Sequence, residues 1–136
     1  MTDPIAFNHL AVFVATLATF MLGGAWYAPG VFGRAWMREC GFTEEWLRQR
    51  GGMARIFAVS FVLEYAMAYN LAAFIGAKAS FGFAVFAGAA AGIGWVALAF
   101  GVTYLFERKP LKLFLINAGY HAVAFTLMGA ILGIWR

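Results

Sequence analysis

Apolar residues run along this chain in four long blocks, at 5–27, 56–76, 81–106 and 113–135, separated by shorter polar segments. About twenty consecutive apolar residues are what a helix needs to cross a hydrocarbon core of roughly 30 Å. A transmembrane barrel would need short strands in which apolar and polar residues alternate, and these continuous Ala, Leu, Phe and Gly runs do not alternate. The pattern therefore predicts an all-α protein, a four-transmembrane-helix bundle forming one integral membrane domain over residues 1–136. The first block is expected to be a retained span and not a signal peptide, because no Lys or Arg precedes it and Asp3 is the sole charge before Arg34.

Composition agrees with lipid as the solvent. The chain is 64% hydrophobic and 12% charged, against about 25% charged in soluble proteins. Ten Lys and Arg against six Asp and Glu give a net charge of +4, but the positions of these charges point to topology and not to nucleic acid. Arg34, Arg38, Arg48, Arg50, Arg55, Arg108, Lys109 and Lys112 fall on one side of the four spans, and Lys78 and Arg136 on the other. Under the positive-inside rule the first and third connections face the cytoplasm and both termini lie outside it. The single cysteine, Cys40, excludes an internal disulfide and a cysteine-based zinc site.

The first connection, 29–53, mixes Phe32, Trp36, Met37, Phe42, Trp46 and Leu47 with its charges, which suits an amphipathic segment on the membrane surface. Thr43 is placed to cap one short interfacial helix, with Glu44 and Glu45 at its positive end and Arg48 and Arg50 at the other. Trp26, Tyr27, Trp36 and Trp46 are expected as interfacial anchors. In the third connection, Glu107 is either in a simple surface pair with Arg108 or bridged to Arg34 or Arg38 as a collar joining the two cytoplasmic connections.

Lipid gives helices no hydrophobic reason to associate, so small residues must allow close approach. Ala84, Gly88 and Gly92 recur every fourth residue in the third span, and Gly129 and Gly133 repeat the device in the fourth. The contact could lie within one chain or between copies. Four thin helices bury little surface, and a homo-oligomer is expected.

Polar residues interrupt the oil at one level. Glu64 lies nine residues past Arg55 and His121 nine past Lys112, which puts both about 13 to 14 Å into the membrane at the helical rise. Trp95 falls within a few ångströms of that level, Thr16 or Thr19 offers the nearest polar atoms of the first span, and Tyr65 and Tyr120 adjoin the pair. Asn117 shares the face of His121, since residues four apart stack, and Gly119 leaves room for a neighbouring backbone. His121 is the ionisable partner expected for Glu64. A buried carboxylate and imidazole at one depth suit either a proton or cation relay or a structural hydrogen bond. Asn8, His9 and Asn70 form a second, outer polar set, too far from His121 for a shared metal site.

The segments "LGGAWYAPGVFGRAWM", "GFTEEWL" and "YLFERKPLKLFLINAGYHAVAFTLMGAILGIW" resemble the bacterial membrane proteins grouped as domain of unknown function 1761. The resemblance implies a four-helix protein of the bacterial inner membrane and brings no catalytic residue, cofactor or substrate with it. Two functions remain in view. One is an oligomeric unit for permeation of a proton, small cation or other solute through the polar layer. The other is a structural or partner-binding membrane protein whose Glu64 and His121 fix helix packing. No proline breaks a span, as a rocking transporter would favour, and no nucleophile elbow, metal spacing or phosphate loop accompanies the pair. Neither an enzyme nor a cofactor is expected, and the bilayer is the one partner the composition names.

Overall fold

The computed structural model describes residues 8–76 and 78–135, so residues 5–7 of the first predicted span, Asp3 and Arg136 lie outside the described part. Helix α1 runs His9–Trp26. A π-helical turn, Pro29–Gly33, leads into α2, Arg34–Cys40, and α3, Glu44–Arg50. Helix α4 covers Met53–Ile75. The third long helix is α5, Phe81–Ala91, continued through a π-helical turn at Gly92–Ala97 into α6, Leu98–Glu107, and α7 is Leu111–Ile134. Four of these helical units, α1, α4, the α5–α6 composite and α7, are long and apolar enough to cross a membrane. The chain is a multi-pass integral membrane protein.

Local chemistry sets the ends. The Asn8 side chain accepts from the amides of Leu10 and Ala11 at 3.0 and 3.2 Å, and Ser80 does the same for Phe83 at 3.1 Å. These side chains satisfy amides that a helix start leaves without partners. Thr43 caps α3 as its sequence predicts, accepting from Trp46 at 3.0 Å. The first connection nevertheless contains two seven-residue helices where one was expected. Gly41, at φ +77°, ends α2 and so separates them, a left-handed conformation that glycine adopts without steric cost.

Helix α7 is the central element. It packs along α5 and the π turn on one side and α1 on the other, and it also touches α4 and α6. Helix α4 leans mainly on α1 and meets α5 only lightly. One end of the bundle carries Asn8 and Trp135 and is called the terminal end; the other carries the basic connections and is called the basic end. The apolar core fills the terminal half, where Ala11, Val12 and Ala15 of α1, Ala68 and Leu71 of α4, and Phe125, Met128 and Leu132 of α7 meet.

The glycine stripes pair within one chain. A Cβ on Gly88 would run into the Phe125 carbonyl, and one on Gly129 would overlap the Ala84 carbonyl. A Cβ on Gly133 would stand 2.8 Å from Ala84 Cβ, and one on Gly92 would stand 2.9 Å from the His121 carbonyl. Gly119 differs from its expected role, since the space it leaves is filled by the Trp26 ring at 3.3 Å and not by a backbone.

The π turn has a geometric cause in the same stripe. Ala84, Gly88, Gly92, Val96, Phe100 and Tyr104 recur every fourth residue, and contacts at Ala84, Gly88, Gly92, Phe100 and Tyr104 turn the stripe to α7. At 3.6 residues per turn a four-residue repeat drifts about 40° per step, or roughly 200° from Ala84 to Tyr104. A turn with i to i+5 bonding takes up part of that drift, and it falls where Gly92 and Gly94 weaken the α-helix. The third span is thus locally irregular although no proline interrupts it.

Gly129→Ala is expected to destabilise the fold by about 1–3 kcal/mol through overpacking against the Ala84 carbonyl. Gly82→Ala, where a Cβ meets nothing within 4 Å, should be neutral or slightly stabilising. Unfolding of both variants in mixed detergent micelles checks the contrast.

Candidate functional site

The basic half of the bundle is held by polar side chains. Glu64 is 8% exposed. Tyr120 of α7 reaches it: the tyrosine hydroxyl contacts Glu64 Oε1 and lies 2.9 Å from the Thr19 carbonyl of α1. One phenol thus joins α1, α4 and α7. Gly23 makes this possible, since a Cβ there would come within 3.2 Å of the Tyr120 hydroxyl. The hydroxyls of Thr16 and Thr19 are committed to the carbonyls of Val12 and Thr16, at 2.8 and 3.0 Å. Glu64 Oε2 is buried with no hydrogen-bond partner among the described residues.

Proton counting limits this node. A tyrosine hydroxyl carries one proton and a carbonyl only accepts. When Tyr120 donates to Thr19, its contact with Glu64 requires the proton of a neutral carboxyl. When Glu64 is ionised, the hydroxyl must turn to the carboxylate and release Thr19. A charge at mid-membrane costs at least about 2.5–3.5 kcal/mol, and no cation is paired with Glu64 among the described residues, which favours the carboxylic acid.

Glu64 is therefore not paired with His121, as its depth suggested. The imidazole stacks on Phe100, with ring centroids 5.2 Å apart, and meets the Tyr120 ring edge at 5.0 Å. The reason is rotation. Asn117 and His121 share the face of α7 turned to α6, while Tyr120, one residue or about 100° away, is turned to α1 and α4.

A second tie lies closer to the basic end. The Tyr27 hydroxyl donates to Asn117 Oδ1 at 2.7 Å, and Asn117 Nδ2 donates to the Tyr104 hydroxyl at 2.8 Å. The Trp26 indole donates to the Ile116 carbonyl at 2.9 Å. Trp26 and Tyr27, both half-buried at the end of the first span, thus also tie α1 to α7. Their ring contacts continue outward through Trp36 and Phe42 to Trp46, which Arg50 covers at 4.7 Å.

Other expected members lie elsewhere. Trp95 is 72% exposed and stands outside the polar layer; its face of the third span is turned away from α7. Tyr65 packs half-buried against the apolar core. The outer set divides: Asn8 is a helix cap, His9 meets the Tyr69 ring at 6.0 Å, and Asn70 is exposed. The collar is not formed, since Glu107 makes no ion pair among the described residues, and none of them form a cluster of three metal-ligating side chains.

The family model described as "Protein of unknown function (DUF1761)" matches residues 10–133. The chain belongs to this family. No curated protein and no solved structure matches it. The match spans α1 to α7 and so includes both polar ties of this family member.

Tyr104 is the site residue that sequence reasoning missed, and a signal for it exists. It stands six residues before Pro110 and Asn117 seven after, while Phe100 and His121 stand ten before and eleven after. Residues equidistant from a tight helical hairpin face one another. The turn is tight because Arg108 takes a left-handed conformation, φ 59°, and Pro110 starts α7.

Tyr120→Phe should cost about 1–3 kcal/mol by leaving both Glu64 oxygens without a partner. Glu64→Gln should cost less, because the carboxamide keeps the shape and can donate to Tyr120. Equal losses in micelle unfolding would show that the hydrogen bond is not what stabilises the node.

Proposed function

We propose that this protein is a proton-permeation unit of the bacterial inner membrane in which Glu64 is the group that takes up and releases the proton. The observation that carries this reading is the buried Glu64 Oε2, which has no hydrogen-bond partner among the described residues. Buried polar atoms are almost always satisfied, and an exception calls for a cause. The Tyr120 hydroxyl supplies a two-position donor that can follow the protonation state of Glu64. A proton fits better than a metal cation, because the described residues bring no group of three acidic, histidine or cysteine side chains together there.

In this reading the functional form is a homo-oligomer in the bilayer, with the basic end in the cytoplasm and both termini outside. The protein acts on no nucleic acid and catalyses no covalent step. A second reading, a structural or partner-binding protein, is favoured by one observation: Tyr120 ties three helices at the same node.

Proton flux into proteoliposomes separates the two. Native protein should conduct, and Glu64→Gln, which preserves the node, should abolish conduction. No flux in the native protein, or full flux in Glu64→Gln, sinks the permeation reading and leaves the structural one.

Orientation has its own test in Cys40, half-buried in the first connection. Burial pushes its thiol above the ordinary range, opposed by Lys109, so labelling should be slower than for a free thiol and faster as pH rises. A membrane-impermeant maleimide should reach it in inside-out vesicles and not in intact spheroplasts. The reverse result would invert the topology.

A further inference from the structure

A cavity of about 580 Å³ opens between α4 and the third span, where those helices only lightly touch. Its floor includes Phe125, its wall is lowered by Ala87 and Ala90, and Trp95 stands at one end of it. Among the lining residues Asn70 has the one polar side chain besides the Trp95 indole. Neither side chain makes a hydrogen bond among the described residues, although Asn70 is five residues from the end of α4 and Trp95 is at mid-membrane.

The length of the cavity discriminates between occupants. From Phe83 to Trp95 is twelve residues along the third span, or roughly 18 Å at the helical rise. That is a little more than half of a hydrocarbon core of roughly 30 Å, so the lining residues reach from the terminal end to about the bilayer midplane. A helix from a second copy would have to cross both leaflets and would overrun it. A chain anchored in one leaflet would end inside it. Phe86, 68% exposed, and Trp95 offer flat aromatic edges against which a methylene chain can lie, and the Asn70 amide can donate to an acceptor oxygen such as a lipid ester.

We propose that this crevice is a binding site for one acyl chain of a phospholipid from the leaflet at the terminal end, with the Asn70 carboxamide donating to an ester oxygen. The π turn contributes by turning Trp95 away from α7 to the foot of the slot. The site is separate from Glu64, and its occupancy does not depend on proton flux.

The test is native mass spectrometry of the full chain, delipidated in detergent and titrated with dioleoyl phosphatidylglycerol. Native protein should retain one lipid per protomer at low lipid excess. Ala90→Phe, which fills the slot from an exposed position, should lose that lipid. Asn70→Leu should weaken it about two- to tenfold, the equivalent of one hydrogen bond. Val102→Phe, on a lipid-facing surface away from the slot, should bind as the native protein does. Retention by Ala90→Phe, or equal loss in Val102→Phe, overturns the proposal. So does a native dimer that binds no lipid and that Ala90→Phe splits into monomers, since a second copy would then fill the slot.

Discussion

The backbone contact between α5 and α7 is the constraint on which the rest of this structure depends. In lipid the gain from association comes from close packing and hydrogen bonding, because an apolar side chain is as well solvated by acyl chains as by another helix. Gly88 and Gly129 let the two backbones meet with no side chain between them. That contact places α7 centrally and fixes its rotation. Once the glycine face of α7 is turned to α5, Asn117 and His121 must face α6 and Tyr120 must face α1 and α4.

Rotation then decides the chemistry. A buried carboxyl in a membrane needs a partner, and the nearest group that the rotation of α7 presents to Glu64 is a phenol. The difference matters physically. An imidazole could share a proton with Glu64 and form an ion pair, whereas Tyr120 offers one hydroxyl proton and a choice of two acceptors, Thr19 and Glu64. The node is consequently neutral when Thr19 is satisfied. A change in its protonation state breaks or makes a bond to α1, and so couples the charge of α4 to the contact between α1 and α7.

The two halves of the bundle are built on different principles. Small residues and aliphatic packing hold the terminal half, and directional bonds through Tyr27, Tyr104, Asn117 and Tyr120 hold the basic half. The π turn sits between them. It keeps a four-residue stripe on one side of the third span, so that Gly88 can touch the α7 backbone near one end while Tyr104 reaches Asn117 near the other. The same turn leaves Trp95 outside, beside a crevice that the light contact of α4 with α5 does not close.

Four spans, their approximate limits and the glycine stripes themselves were legible in the sequence, because the length and the small-residue spacing that a helix needs in lipid are one-dimensional properties; that the stripes pair within one chain was not. Depth was legible too: a constant rise per residue puts Glu64 and the 120–121 region at one level. Azimuth was not. Each residue turns the helix by about 100°, so the choice between His121 and Tyr120 as partner for Glu64 depends on how α7 is rotated against α5, and the inward turn of Trp26 and Tyr27 on how α1 ends beside α7. Nor could periodicity alone show the π turn, which exists because a four-residue contact repeat must be reconciled with a helix of 3.6 residues per turn over the whole α5–α6 length. Sequence determined which residues lie at each depth; tertiary packing determined which of them meet.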